Sequence, residues 1–327
     1  MFEFAPALPA RRDVDWCWYL RRQGREGEAL ERALHDIGVM HPGGWADWAP
    51  STLTTTGAPV QMQLSEHRDG LALVTEVADP ASDPDTRVAR VCQIMADFGG
   101  TAPGPAFRDG LSAAQGAGAL RYGAWLGLRR RGRDLQTRLF AELPDDAQDL
   151  TRLFCPAQIA SVIDRCATDV RARILSVDGN TGETALYFTC RRATLATLAT
   201  LATLAQVSDS VLAQTLAGLV GKSARDALPL SRLGFSLTMN AEGAVSLLQL
   251  HVPVAALRRG NDHQIAAWLK TCLKSPVNGY PDLLDALQSV GSDRTHHRLI
   301  SLTARPAAPP SLTISVAAPW SCPQEPQ

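Results

Sequence analysis

Along residues 134–144, "DLQTRLFAELP", polar and apolar side chains alternate. Read as a strand, Leu135, Thr137, Leu139, Ala141 and Leu143 share one face, and Gln136, Arg138, Phe140 and Glu142 share the other. The preceding "LRYGAWLGLRR" and the polar turn "RGRD" make this a hairpin. The pattern recurs four times. "APVQMQLSE" turns at "HRDG" into "LALVTEVA", and "RARILSV" turns at "DGNTG" into "ETALYFTC". "LGFSLTM" turns at "NAEG" into "AVSLLQLHV", and "HHRLISLTA" runs through a Pro-rich link into "SLTISVAA". Asp-Gly, Asn and Gly in four of the turns support the hairpin reading. Between the hairpins, "DPDTRVARVCQIMADFG", "PAQIASVIDRCATDV", "SDSVLAQTLAGLVG", "DHQIAAWLKTCLK" and "PDLLDALQSVG" carry helical spacing with polar starts and, in several, Gly stops. The triplet repeat "ATLATLATLATLA" (residues 193–205) places Leu195, Leu198, Leu201 and Leu204 on a drifting helix stripe.

Every hairpin has one apolar face for helices to cover. The opposite face carries single large polar groups: Gln61 and Gln63 in the first, Tyr187 in the third, Gln249 and His251 in the fourth, Thr313 in the fifth. An open sheet would leave that face to water. About ten antiparallel strands that close on themselves remove the edges and turn the polar face into a lumen too wide for side chains to fill. The expected fold is therefore α+β: a ten-stranded antiparallel β-barrel with a polar lumen surrounded by α-helices, a chamber for a ligand. One domain is expected over residues 1–320, with a frayed tail at 321–327.

The chain of 327 residues is 45% hydrophobic with a net charge of -1, which gives no footprint for nucleic acid or an anionic membrane. No signal peptide or spanning segment is evident, and the seven scattered cysteines lack CxxC spacing, so a cytoplasmic protein with reduced thiols is expected. "VGKSARD" lacks the upstream Gly of a phosphate-binding loop. In "DDAQD", Asp145, Asp146 and Asp149 have DDxxD spacing, but they follow Pro144 at a strand end, where Asp also starts helices. His296 and His297 are adjacent, so a strand would send them to opposite faces. Trp125 shares a face with Gly123 and Gly127, which would leave room for a flat ligand beside its ring.

In element order over nearly the whole chain, and in "APVQMQLSE…LALVTEVADP", "LQTRLFAELP", "ETALYFTC" and "LLQLHVPV", the sequence resembles the ABBA, or PT-barrel, aromatic prenyltransferases and their indole or dimethylallyl-tryptophan-type relatives. The resemblance implies transfer of a dimethylallyl or geranyl group from its diphosphate to an indole, phenol or amino-acid-derived acceptor. It implies small-molecule partners only and no required cofactor, magnesium included. In that frame Arg138, Phe140, Tyr187, Gln249 and His251 would bind the diphosphate or ligand, and Trp125 would line the acceptor pocket. Gln61 stands where these enzymes carry a catalytic Glu; an amide can hydrogen-bond an acceptor but cannot take its proton. Glu76 is the inward carboxylate that would substitute as base. Other departures are Phe140 for a Tyr, Ala185 and Glu183 for cations, Ala72 for an Arg and Thr313 for a late Tyr. Arg121, Arg173 and Arg298 are the further cations that would supplement Arg138. The alternative is a diverged PT-barrel protein that binds or rearranges an aromatic natural product without using a prenyl diphosphate.

Overall fold

Two short strands, β1 (Met40–His41) and β2 (Gly44–Trp45), form a separate pair ahead of the main sheet. The main sheet comprises β3 (Val60–Ser65), β4 (Ala72–Thr75), β5 (Ala124–Arg131), β6 (Asp134–Glu142), β7 (Val170–Asp178), β8 (Thr184–Cys190), β9 (Leu233–Met239), β10 (Val245–Pro253), β11 (His297–Ala304) and β12 (Ser311–Ala317). Each pairs antiparallel with its sequence neighbours, and β12 returns to β3 through Thr313↔Ser65 to Ala317↔Gln61, closing the barrel. This computed structural model describes residues 16–41, 44–54, 56–66, 71–149, 153–166, 170–221, 233–273, 275–288 and 295–318. The "HRDG" turn, most of "VGKSARD" and the 321–327 tail lie outside the described residues.

The described helices are α1 (Trp16–Arg22), α2 (Gly24–Ile37), α3 (Arg87–Asp97), α4 (Pro105–Gly116), α5 (Ala157–Cys166), α6 (Leu195–Leu204), α7 (Asp209–Val220), α8 (Val254–Leu257), α9 (Asp262–Cys272) and α10 (Tyr280–Gln288). None is long and apolar enough to cross a membrane. Helices α2 and α3 pack on β5, α5 on β7, α6 on β10, and α7 and α8 on β11. The covered face is the apolar one: Val60, Met62, Leu126, Leu139, Leu186, Phe235, Leu250, Ile300 and Ile314 are buried in one continuous core. Each such side chain contributes roughly 1.5–3 kcal/mol of burial.

Helix ends follow the sequence. Ser208 accepts from the Val211 N–H at the start of α7, and Gly221 ends it in the left-handed region at φ 69°. Thr194 and Thr197 cap α6 reciprocally. A period of three advances 300° per repeat, so the leucine stripe rotates as it climbs. Accordingly Leu195 is 42% exposed while Leu198 and Leu201 are buried. Helices α1, α2, α4 and α8 are additions to the elements read from the sequence; in α4, Gly110 and Gly116 weaken the periodic signal.

At the start of β11 the two histidines depart from simple alternation. The strand begins only at His297, and both rings reach Asp262 at the start of α9. His296 Nδ1 lies 2.6 Å from Oδ2, and His297 Nδ1 lies 2.7 Å from Oδ1. With both Nδ1 atoms donating, His297 Nε2 accepts from the Tyr280 hydroxyl of α10 at 2.7 Å. Burial opposes charge on Asp262, but the hydrogen bonds from the two imidazoles outweigh it and hold the carboxyl far below its usual range. One carboxylate thus ties α9 and α10 to β11. Asp262→Ala should lower the unfolding free energy by about 3 kcal/mol, because it strands buried donors. Urea titration checks this, with Asp262→Asn falling between the variant and the parent.

Candidate active site in the barrel lumen

The ladder registers define the inner face. Gln61 pairs with Val74, Val74 with Gly127, Gly127 with Arg138 and Arg138 with Asp178. On the far wall Tyr187 pairs with Ser236, Ser236 with Gln249 and Gln249 with Thr303. All of these point inward, as the period of two requires. Gln63, Gln136, Arg138, Phe140, Ile174, Tyr187, Gln249, His251 and Thr313 nevertheless remain only partly buried. The polar face of β6 therefore lines the inside of the closed barrel, where these side chains keep accessible surface.

Arg138 projects into this lumen, where its Nη2 donates to Asp178 Oδ2 at 2.9 Å. The side chains are 26% and 14% exposed. Burial disfavours the guanidinium charge, but the Tyr187 hydroxyl and the Asp178 carboxylate favour it and prevail. Asp178, the first residue of the "DGNTG" stretch, is the last residue of β7, and only the register sets it beside Arg138.

Aromatic groups continue the wall. Phe140 meets Tyr187 edge-on at 5.8 Å between centroids, and Tyr187 stacks with His251 at 5.6 Å. His251 is held at both nitrogens, Nδ1 to Ser301 Oγ at 2.7 Å and Nε2 to Ser236 Oγ at 3.0 Å. Gln249 donates to Thr303 Oγ1 at 3.0 Å. Burial pushes the His251 imidazole down to about 4, so the ring is neutral at pH 7.

At the other end of the inner face, Glu76 follows β4 and is 1% exposed. Its carboxylate accepts from the Ser51 hydroxyl, from Trp125 Nε1 at 3.2 Å and from Arg87 Nη1 at 3.2 Å. Desolvation raises its pKa against these three partners. Arg87, 2% exposed, also donates to the carbonyls of Tyr122, Asp79, Pro80 and Ser82. Glu76 is thus a filled hub that fixes the Trp125 ring. The room expected beside Trp125 is occupied by the protein itself. A Cβ on Gly127 would lie 2.8 Å from Phe140 Cε2, and one on Gly123 would lie 2.1 Å from the Pro84 carbonyl oxygen. Trp125 packs with Leu53, Val74, Tyr122, Phe140 and Ile174.

The supplementary cations divide. Arg121 is exposed, and its backbone N–H, with those of Tyr122 and Gly123, donates to Glu142 Oε2. Arg173 pairs with Asp145, which also binds Arg171. Asp145, Asp146 and Asp149 are exposed, and among the described residues no group of three His, Cys, Asp or Glu side chains is placed to hold a metal. Arg298 alone of the three reaches the lumen side chains. A β-bulge between His297 and Leu299 accompanies this turn, and Arg298 Nη1 donates to Gln61 Oε1 at 2.9 Å. Arg129, also inward on β5, is a further cation near Arg138.

A ten-stranded up-and-down barrel jacketed by helices, with a hollow polar interior, is the ABBA or PT-barrel fold, and the chain has it. The likeness runs over 93% of this chain and 96% of 6-dimethylallyltryptophan synthase from Micromonospora olivasterospora in complex with DMASPP and Trp, at TM-score 0.71 and 16% identity. For 5-dimethylallyl tryptophan synthase from Streptomyces coelicolor, also with DMASPP and Trp, coverage is 96% of both chains, the TM-score 0.70 and the identity 15%. For AnaPT from Neosartorya fischeri, coverage is 93% and 91%, the TM-score 0.64 and the identity 14%. No protein-family model matches the sequence, and no curated protein does.

The His251 environment generates a pH test. Its folded pKa is lowered to about 4, whereas the unfolded ring titrates near ~6.5. Between these values the unfolded chain holds a proton that the native state does not. This contribution is therefore full above about pH 6.5 and is lost as pH falls toward 4. His251→Gln should make stability less pH-dependent, narrowing the pH 7 to pH 5 difference in urea unfolding free energy by about 1–2 kcal/mol.

Proposed function

We propose that this protein is an aromatic prenyltransferase, moving a dimethylallyl or geranyl group from its diphosphate to an aromatic acceptor inside the barrel. The observation that supports this most is the unfilled lumen lined by cation, hydroxyl and aromatic groups, in the barrel fold of enzymes solved with DMASPP and Trp. Ionisation of an allylic diphosphate needs donors that face the growing charge on the leaving group. Arg138, Tyr187 and Gln249 are the side chains for that role, with Arg129 adding positive potential. Phe140 and Tyr187 offer ring faces to the allylic cation and keep water from it. His251, neutral and held by two serines, shapes the wall and donates no charge. Arginine side chains in place of a metal clamp make magnesium unnecessary for binding. Glu76, enclosed by Ser51, Trp125 and Arg87, positions Trp125 and does not contact substrate.

A second reading has its own observation. Arg138 is already neutralised by Asp178, which weakens its hold on an anion. A barrel that binds or rearranges an aromatic natural product, without using a prenyl diphosphate, would tolerate that pairing. Calorimetric titration with dimethylallyl and geranyl diphosphate, with and without magnesium, separates the two. Micromolar, magnesium-independent binding that weakens at least ~10-fold in Arg138→Ala supports transfer, since a charged hydrogen bond of ~1.5–3 kcal/mol is removed. Folded protein that binds neither donor, yet retains an aromatic ligand, supports the second reading.

A further inference from the structure

Among the described residues, one cation on the lumen side has no counter-charge. Among the described residues Arg298 forms no ion pair, and its hydrogen-bond partner is the neutral amide of Gln61, itself 4% exposed. The acidic group that bears on it is the phenol of Tyr122, not a carboxylate. The buried carboxylate Glu76 is taken by Arg87, whereas Arg138 has Asp178. Arg298 is partly buried and faces the lumen, so leaving its charge uncompensated is costly unless a ligand supplies the missing anion. Gln61, beside it, accepts and donates hydrogen bonds but takes no proton. A neutral N–H acceptor would meet a cation and no base there.

We propose that Arg298 and Gln61 form the acceptor subsite, and that the acceptor is a phenol bound as its phenolate. This rests on the transferase reading for its chemistry, though not for binding. A phenolate needs no general base for the attack. The donor's C–O bond breaks with its electron pair leaving on diphosphate. A ring carbon ortho to the phenolate oxygen supplies the pair for the new C–C bond. The proton displaced from that carbon leaves on the released diphosphate and restores the aromatic ring.

The test uses 4-nitrophenol, whose phenolate absorbs visibly, titrated against the full-length protein across pH without any prenyl donor. The apparent pKa of bound 4-nitrophenol should fall by about one unit or more, a tenfold gain in the ratio of phenolate to phenol at fixed pH. Arg298→Gln, which keeps a hydrogen-bonding amide and removes the charge, should abolish the shift. Gln61→Glu, which supplies Arg298 with a carboxylate and keeps the cation, should also return the pKa to that of free 4-nitrophenol. An unshifted pKa in the parent, a shift that survives both variants, or no binding by folded protein overturns the proposal. Failure to bind dimethylallyl diphosphate with the phenolate shift intact would instead overturn the transferase reading and leave the subsite standing.

Discussion

The phase of the strand alternation governs everything inside this barrel. A slip of one residue in any ladder would exchange the leucines and valines under the helices for the glutamines, arginines and tyrosine of the lumen. Ten strands must therefore hold one phase around a closed ring, and the continuous buried core on the outer face enforces it. The inner face pays no comparable packing role, since many of its side chains keep open surface. Stability and ligand chemistry are thus carried by opposite sides of the same strands. Such a division lets lumen residues change with little effect on the fold, and it is consistent with a shared fold at 14–16% identity to dimethylallyltryptophan synthases and AnaPT.

Charge inside the lumen is arranged unevenly. Arg138 has an internal partner in Asp178 and Arg87 has Glu76, while among the described residues Arg298 meets the amide of Gln61. In a low-dielectric interior an uncompensated guanidinium dominates its surroundings more than a paired one. The polar groups between these cations are mostly neutral and mutually satisfied: Ser301, His251 and Ser236 form one chain, and Gln249 joins Thr303. The wall formed by β8 to β11 is therefore a fixed array of dipoles with one stacked aromatic pair, Tyr187 and His251.

Much of this was legible in the sequence because it is periodic. The five hairpins, the faces of Gln61, Arg138, Tyr187, Gln249 and His251, and most of the helices follow from local spacing alone. What escaped depends on pairings between residues distant in the chain. Asp178 looks like a turn residue until the β6–β7 register puts it opposite Arg138. Arg298 and the two histidines near it defy simple alternation, because β11 starts late and carries a bulge. Gly123 and Gly127 signalled empty space beside Trp125, but a glycine equally signals a close approach, here by the Pro84 carbonyl and the Phe140 ring. Glu76 read as an available carboxylate; its three partners come from a loop, a strand and a helix that sequence spacing does not bring together.

Closure of the ring by its final strand bears on how the protein is made. β3 lies near the beginning of the chain and pairs with β12 near its end. Hairpins can form as they leave the ribosome, but β3 must wait with an unpaired edge until β12 has been synthesised. At about 5–20 residues per second that interval is on the order of tens of seconds. During it the nascent chain presents alternating "VQMQLS" along an open edge, a template for pairing with another chain. Biosynthetic yield should accordingly depend on translation speed and on holdase chaperones more than the closed native barrel, which has no edge, would suggest.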